Sequence, residues 1–241
     1  MGMARNCVAS SACRECVCRS EAVVCDLDAP ELAAFEGHRH VLTFAAGQTV
    51  FYEGHACLGL YLLCRGKVKL TRSSSQGQRH IVGILSAGRL LDPQAFRPGA
   101  VHETTCDTLE PSQVGFIERT AYLALLQRDP SLAIRLIQWL GDEIRKGLGH
   151  VDLLAFKTAR QRLAGLLADL AERFGRQAGL AGEPVEIGVC LKREELAELA
   201  GITLETAVRV LGALRQDGLV RLDGRRIVLL DRPRLLKIAR A

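Results

Sequence analysis

The amino-acid sequence predicts an α+β chain with a β-rich N-terminal half, one long helix and a C-terminal winged helix-turn-helix. Three observations predict it. Short apolar runs broken by glycines fill residues 41–120. After Pro130 the apolar spacing changes to a helical one. A helix, turn, helix and hairpin pattern then closes over residues 191–230. Spacing of about two residues marks strands and about 3.6 marks helices.

Residues 1–26 carry five of the nine cysteines, Cys7, Cys13, Cys16, Cys18 and Cys25, with little periodicity. A short helix fits residues 29–37. Strands are expected at 50–54, 58–63, 67–70, 81–85 and 113–117, with turns at Gly47, Gly54, Gly66, Gly77 and Gly88. Such spacing suits a β-barrel or jelly-roll-like sandwich.

Residues 131–156 lack proline and place Ile134, Ile137, Ile144, Leu148 and Val151 near heptad spacing, with Gly141 on the same seam. That seam predicts a coiled-coil-like homodimer contact; packing of the helix on its own barrel is the alternative. A second helix is expected over 159–174 and a Gly-rich loop over 175–183. The expected organisation is an arm at 1–26, a β-roll at 27–129, a dimerisation helix at 130–156 and a winged helix-turn-helix domain at 157–241.

Residues 157–241 hold 16 Lys and Arg against 11 Asp and Glu, whereas residues 1–156 hold 16 against 16. The net charge of +5 thus resides in the C-terminal third, which suits a phosphate backbone. No apolar run reaches the length of a membrane span, and the N-terminus does not read as a secretory signal. The expectation is a cytoplasmic protein with no membrane partner. Clustered thiols in a reducing compartment point to metal or redox chemistry rather than disulfides. Nothing resembles a catalytic triad or a phosphate-cradling glycine loop, so an enzyme is not expected.

Within the helix-turn-helix, residues 194–200 form the first helix, Gly201 supplies the turn, and Thr203 caps a second helix over 204–216. On a helical wheel Ala207, Val210, Leu211 and Leu214 share one side. Glu205, Val208, Arg209, Gly212 and Gln216 share the other, with Thr206 beside them. Arg209 can fork onto guanine, Glu205 can accept from cytosine and Val208 can pack on a thymine methyl. The run 217–230 reads as two strands around an Asp-Gly turn, a wing. Lys192, Arg193, Arg225 and Arg226 can reach phosphates. Double-stranded DNA is the partner these residues predict; a small helical domain with solvated charges is the bland alternative.

The residues 201–209, Gly-Ile-Thr-Leu-Glu-Thr-Ala-Val-Arg, resemble the recognition-helix motif of the CRP/FNR family of bacterial transcription regulators, the FNR branch most closely. The stretch from Val50 to Leu91 is similar to that family's cyclic-nucleotide-binding-like jelly roll. The resemblance implies a dimer on a pseudo-palindrome, with Glu205 and Arg209 reading a TGA-containing core, and RNA polymerase as a partner. Leu204 stands where CRP has an Arg, and Val208 where FNR has a Ser. In the family's nucleotide binders an acid and an Arg-Ser or Arg-Thr pair hold the ligand. Here Arg89 and the run His102-Glu103-Thr104-Thr105 stand at those places, so no cyclic nucleotide is expected.

The resemblance also implies an oxygen-labile [4Fe-4S] cluster on N-terminal cysteines plus one distant cysteine. Cys13, Cys16 and Cys25 match the N-terminal set, but Gly115 stands at the distant position. Cys106 is the first substitute, Cys18 the second and Cys7 the third. Cys57 and Cys64 fall among strands and read as small core residues, and Cys190 reads as structural. Zinc on Cys13, Cys16, Cys18 and Cys25, a thiol redox switch, haem-based nitric oxide sensing and a metabolite-binding roll remain as alternatives.

Overall fold

The computed structural model describes residues 29–177 and 183–241. The Cys7, Cys13, Cys16, Cys18 and Cys25 positions lie outside the described residues. The chain forms two compact units, divided between Lys146 and Gly147.

The first unit contains α1 (Ala29–His38), β1 (His40–Phe44), β2 (Thr49–Phe51), β3 (Gly59–Arg65), β4 (Lys67–Ser73) and β5 (Arg79–Ser86). A 3-10 turn (Pro93–Phe96), β6 (Thr105–Thr108), β7 (Ser112–Glu118), α2 (Arg119–Arg128) and the start of α3 (Pro130–Phe156) follow. The strands form two antiparallel sheets, ordered β1-β7-β3 and β2-β6-β4-β5. Alternation along β3 sends neighbouring side chains to different cores. Leu63 joins Phe51, Val68, Leu91, Cys106 and Val114, drawn from both sheets. Leu60 and Leu62 join Phe35 of α1, Ile117, Tyr122, Leu125 and the first turns of α3. Each such buried aliphatic side chain contributes about 1.5–3 kcal/mol of transfer free energy. The β3–β4 turn requires Gly66, whose φ is +94°; a Cβ there would stand 2.2 Å from Ser112 Oγ.

The helix α3 has two apolar faces. Leu132 and Leu136 are buried, whereas Ile134, Ile137, Ile144, Leu148 and Val151 are 56–66% exposed. The seam is thus exposed in the single chain, while the first turns of the helix pack on the chain's own roll through Leu132 and Leu136. No helix among the described residues is long and apolar enough to cross a membrane.

The second unit contains α4 (Ala159–Phe174), β8 (Gly175–Gln177), β9 (Val185–Ile187), α5 (Arg193–Ala200), α6 (Leu204–Gln216), β10 (Val220–Asp223), β11 (Arg226–Leu229) and α7 (Arg232–Arg240). A reciprocal capping box starts α4: Gln161 N donates to Thr158 Oγ1, and Thr158 N donates to Gln161 Oε1 at 2.7 Å. Leu163, Leu167, Leu196, Leu211 and Leu214 are fully buried in this unit. The sheet runs β10-β11-β9-β8. Residues 175–177, expected as loop, are a strand because β9 supplies antiparallel partners for all three.

Candidate functional site

The helix-turn-helix is built from α5 and α6. Gly201 takes the left-handed conformation (φ 60°, ψ 44°), which lets the chain reverse between them. Arg162 of α4 donates from Nη1 to the carbonyls of Ala200 (3.3 Å) and Gly201 (2.9 Å), so the turn is held from behind. Thr203 caps α6 by accepting from Thr206 N, and its hydroxyl meets that of Thr206 at 2.9 Å. Both threonines are thereby engaged in starting the helix.

Ala207, Val210, Leu211 and Leu214 face inward, and Leu204, Glu205, Val208 and Arg209 face outward. Neither Glu205 nor Arg209 enters an ion pair among the described residues. Arg160 pairs with Asp217 at 2.6 Å, at the far end of α6. The wing turns through Gly224 and Arg225, with φ +61° at Gly224 and Asp223 opposite Arg226. Arg225 and Arg226 are exposed. Lys192 is exposed at the start of α5. Arg193 is half-buried and donates to the Gly224 carbonyl at 3.1 Å, so it ties the wing to α5.

The roll holds three of the described cysteines, Cys57, Cys64 and Cys106, in different settings. Cys106, on β6 opposite Phe51 and Leu70, has no exposure. Burial, then the charges of Asp107 and Asp92, push its thiol far above the usual range. A thiolate there is disfavoured unless a metal enters a sealed apolar core. Cys64 is half-buried and occupies an irregularity in the β3–β7 ladder between Leu63 and Arg65. Such an extra residue re-aims its side chain. A Cβ placed on Gly115 would stand 3.2 Å from Cys64 Sγ and 2.8 Å from Arg39 Cδ. Arg39 Nη1 donates toward the same sulfur at 3.6 Å. The thiol of Cys64 thus fills the room beside Gly115, and a guanidinium faces it. Residue spacing gave no signal for this, because a ladder irregularity brought the two together. Cys190, expected as structural, is exposed.

Arg72 pairs with Glu103 at 3.2 Å on the exposed side of the roll. His102 is buried and its Nδ1–H donates to Asp92 Oδ2 at 2.5 Å. Cys57 lies with them. Burial first, and Asp92's charge second, raise its thiol pKa to about 11.

A β-roll, a helix with an exposed apolar seam and a winged helix with Glu205 and Arg209 on its outer face define a two-domain DNA-binding transcription regulator. Comparison with known proteins agrees. Residues 161–238 match the Crp-like helix-turn-helix domain and residues 41–129 the cyclic nucleotide-binding domain. The transcriptional activator protein FnrL of Cereibacter sphaeroides is 32% identical over 235 residues, covering 94% of this chain and 91% of the relative. The fumarate and nitrate reduction regulatory protein of Escherichia coli is 29% identical over 193 residues, covering 80% and 76%. The structure of FixK2 from Bradyrhizobium japonicum superposes with a TM-score of 0.72 at 24% identity, covering 84% of this chain and 98% of FixK2. The chain belongs to the CRP/FNR family of transcriptional regulators. It is a DNA-binding regulator and not an enzyme.

Proposed function

We propose that this regulator binds a pseudo-palindromic DNA site as a homodimer and that a [4Fe-4S] cluster on its cysteines sets its affinity for that site. The outward face of α6 carries the DNA part of the reading. Glu205, Val208 and Arg209 read bases, while Lys192, Arg225 and Arg226 contact phosphates. Thr203 and Thr206 set the helix start that presents them. The seam of α3 joins the protomers, and RNA polymerase is the partner recruited at the promoter.

Cys13, Cys16 and Cys25 are three of the cluster's ligands. The observation that carries the fourth is the place of Cys64, whose sulfur fills the room beside Gly115 and faces Arg39. The thiol donates to the Leu62 carbonyl at 3.6 Å, so its sulfur is held at this place. Cys64 also packs against the core that includes Phe35 of α1, and α1 begins four positions after Cys25. On this reading Cys64 takes the role first expected of Cys106, with Cys18 next. The cluster, when bound, supplies a group that oxygen and nitric oxide degrade.

The roll takes no cyclic nucleotide on this reading, because Glu103 stands where a phosphate would be bound and its own partner is Arg72. Anaerobic purification, with iron and sulfide analysis and DNA titration before and after air, tests the proposal. A colourless protein with zinc and no sulfide rules the cluster out. Unchanged DNA affinity across cluster loss rules out the control.

A further inference from the structure

We propose that Cys57, Asp92 and His102 form a second, separate metal site inside the β-roll, which takes one divalent transition-metal ion of the zinc type. One ligand atom from each residue lies within 4.8 Å of the others, and all three side chains are buried. The donors of a tetrahedral zinc ion stand roughly 3.3–3.7 Å apart, so admitting the ion opens the 2.5 Å contact between His102 Nδ1 and Asp92 Oδ2 by about 1 Å.

Charge selects the ion. A buried charge must be neutralised locally. A Cys57 thiolate and an Asp92 carboxylate together carry two negative charges, which a divalent cation cancels, with His102 neutral. On binding, the Cys57 thiol proton leaves to solvent and the His102 proton moves from Nδ1 to Nε2, so the imidazole stays neutral and its Nδ1 lone pair faces the ion. Donor type narrows the choice further. Sulfur disfavours magnesium and calcium, and a carboxylate disfavours copper(I). Three protein ligands leave a fourth position for water.

The three ligands are held before any ion arrives. Cys57 N donates to the Ala100 carbonyl (2.9 Å), His102 N to that of His55 (2.8 Å) and Gly54 N to that of His102 (2.8 Å). These bonds fix the Cys57 and His102 segments side by side. Gln94 N donates to Asp92 Oδ1 at 2.8 Å, which orients the carboxylate. Phe51 stacks on the His102 ring at 4.0 Å and Tyr61 meets its edge at 5.4 Å, which fixes the ring. The ion would clasp the β2–β3 link, the 3-10 turn after β5 and the segment before β6. This site is independent of the N-terminal cluster.

The test uses the full chain with Cys7, Cys13, Cys16, Cys18 and Cys25 replaced by Ser, refolded with cobalt(II) and then challenged with zinc(II). Loss of the iron-sulfur reading leaves this protein unaffected, so the two proposals fail separately. The expected result is one cobalt per chain with a sulfur-to-cobalt charge-transfer band, displaced by one zinc. C57S should abolish the band. H102Q should lower affinity by more than the roughly 10–100-fold that loss of a supporting partner costs. Should C57S not fold, H102Q and D92N carry the same readout. No cobalt after refolding, a spectrum without thiolate character, or equal affinity in the parent and H102Q would each overturn the site.

Discussion

The guanidinium of Arg162 in α4 donates at 2.9 Å to the carbonyl of Gly201, the residue at which the helix-turn-helix reverses. The same nitrogen reaches the Ala200 carbonyl. Hydrogen bonds to a charged group contribute about 1.5–3 kcal/mol each when shielded, and less where exposed as here. Arg162→Ala should lower stability by about 1–2 kcal/mol and weaken binding to every DNA sequence alike. Thermal unfolding beside titrations on specific and random duplexes checks this. A selective loss on the specific duplex alone would mean that Arg162 reads DNA instead.

Arg209 behaves differently because it faces outward and has no ion-pair partner among the described residues. Arg209→Ala should cost about 1–3 kcal/mol on the specific site and little on random DNA. Equal losses on both would reduce Arg209 to a phosphate contact.

The seam of α3 predicts the oligomer. Ile144 and Leu148 are 66% and 64% exposed, so a charge there does not disturb the fold of one protomer. I144K with L148K should convert the dimer to a monomer by sedimentation, with the circular dichroism spectrum retained and DNA affinity lost. A double variant that stays dimeric would place the contact elsewhere.

Cys64 and Cys106 give opposite expectations. Cys64→Ser should lower iron and sulfide content of anaerobic protein to near zero, whereas Cys106→Ser should leave both unchanged. The reverse result would return the fourth ligand to the interior of the roll.

Cys106 also predicts a pH dependence. Its thiol pKa in the folded protein lies above that of the unfolded chain, about 8.5. The folded state therefore holds its proton when the unfolded state has released it. That contribution is complete below the unfolded pKa, and stability falls as pH rises above it. Cys106→Val should flatten the alkaline limb of a stability profile taken above about pH 9. An identical limb would assign it to other groups, such as Tyr122, whose pKa burial also raises.

Much of this architecture was legible because its signals are local. Glycine turns at Gly47, Gly54, Gly66, Gly77 and Gly88 all take positive φ, and the strands between them follow the apolar runs. The inward and outward faces of α6 follow from a 3.6-residue period. What escaped depends on distant partners. Strand β1 has an exposed, non-alternating pattern and exists through its pairing with β7. The short strand β8 needs β9 in the same way. The bond from Arg193 to the wing carbonyl of Gly224, 31 residues away, left no trace in the spacing either. The Cys64–Gly115 proximity and the Cys57–Asp92–His102 group arise from cross-strand packing and from loops joined by backbone bonds, neither of which leaves a spacing in the chain.

The uncovered face of α3 bears on how long a protomer survives. A stripe of exposed isoleucine, leucine and valine over several helical turns is a surface that soluble monomers rarely present. On the proposed dimer, a protomer without its mate would offer that stripe to chaperones and proteases, while a mated one would hide it. Mass action then couples lifetime to concentration. Below the dissociation constant of the seam a protomer would neither hold its DNA site nor cover these isoleucines, so occupancy and protection would fall together with concentration.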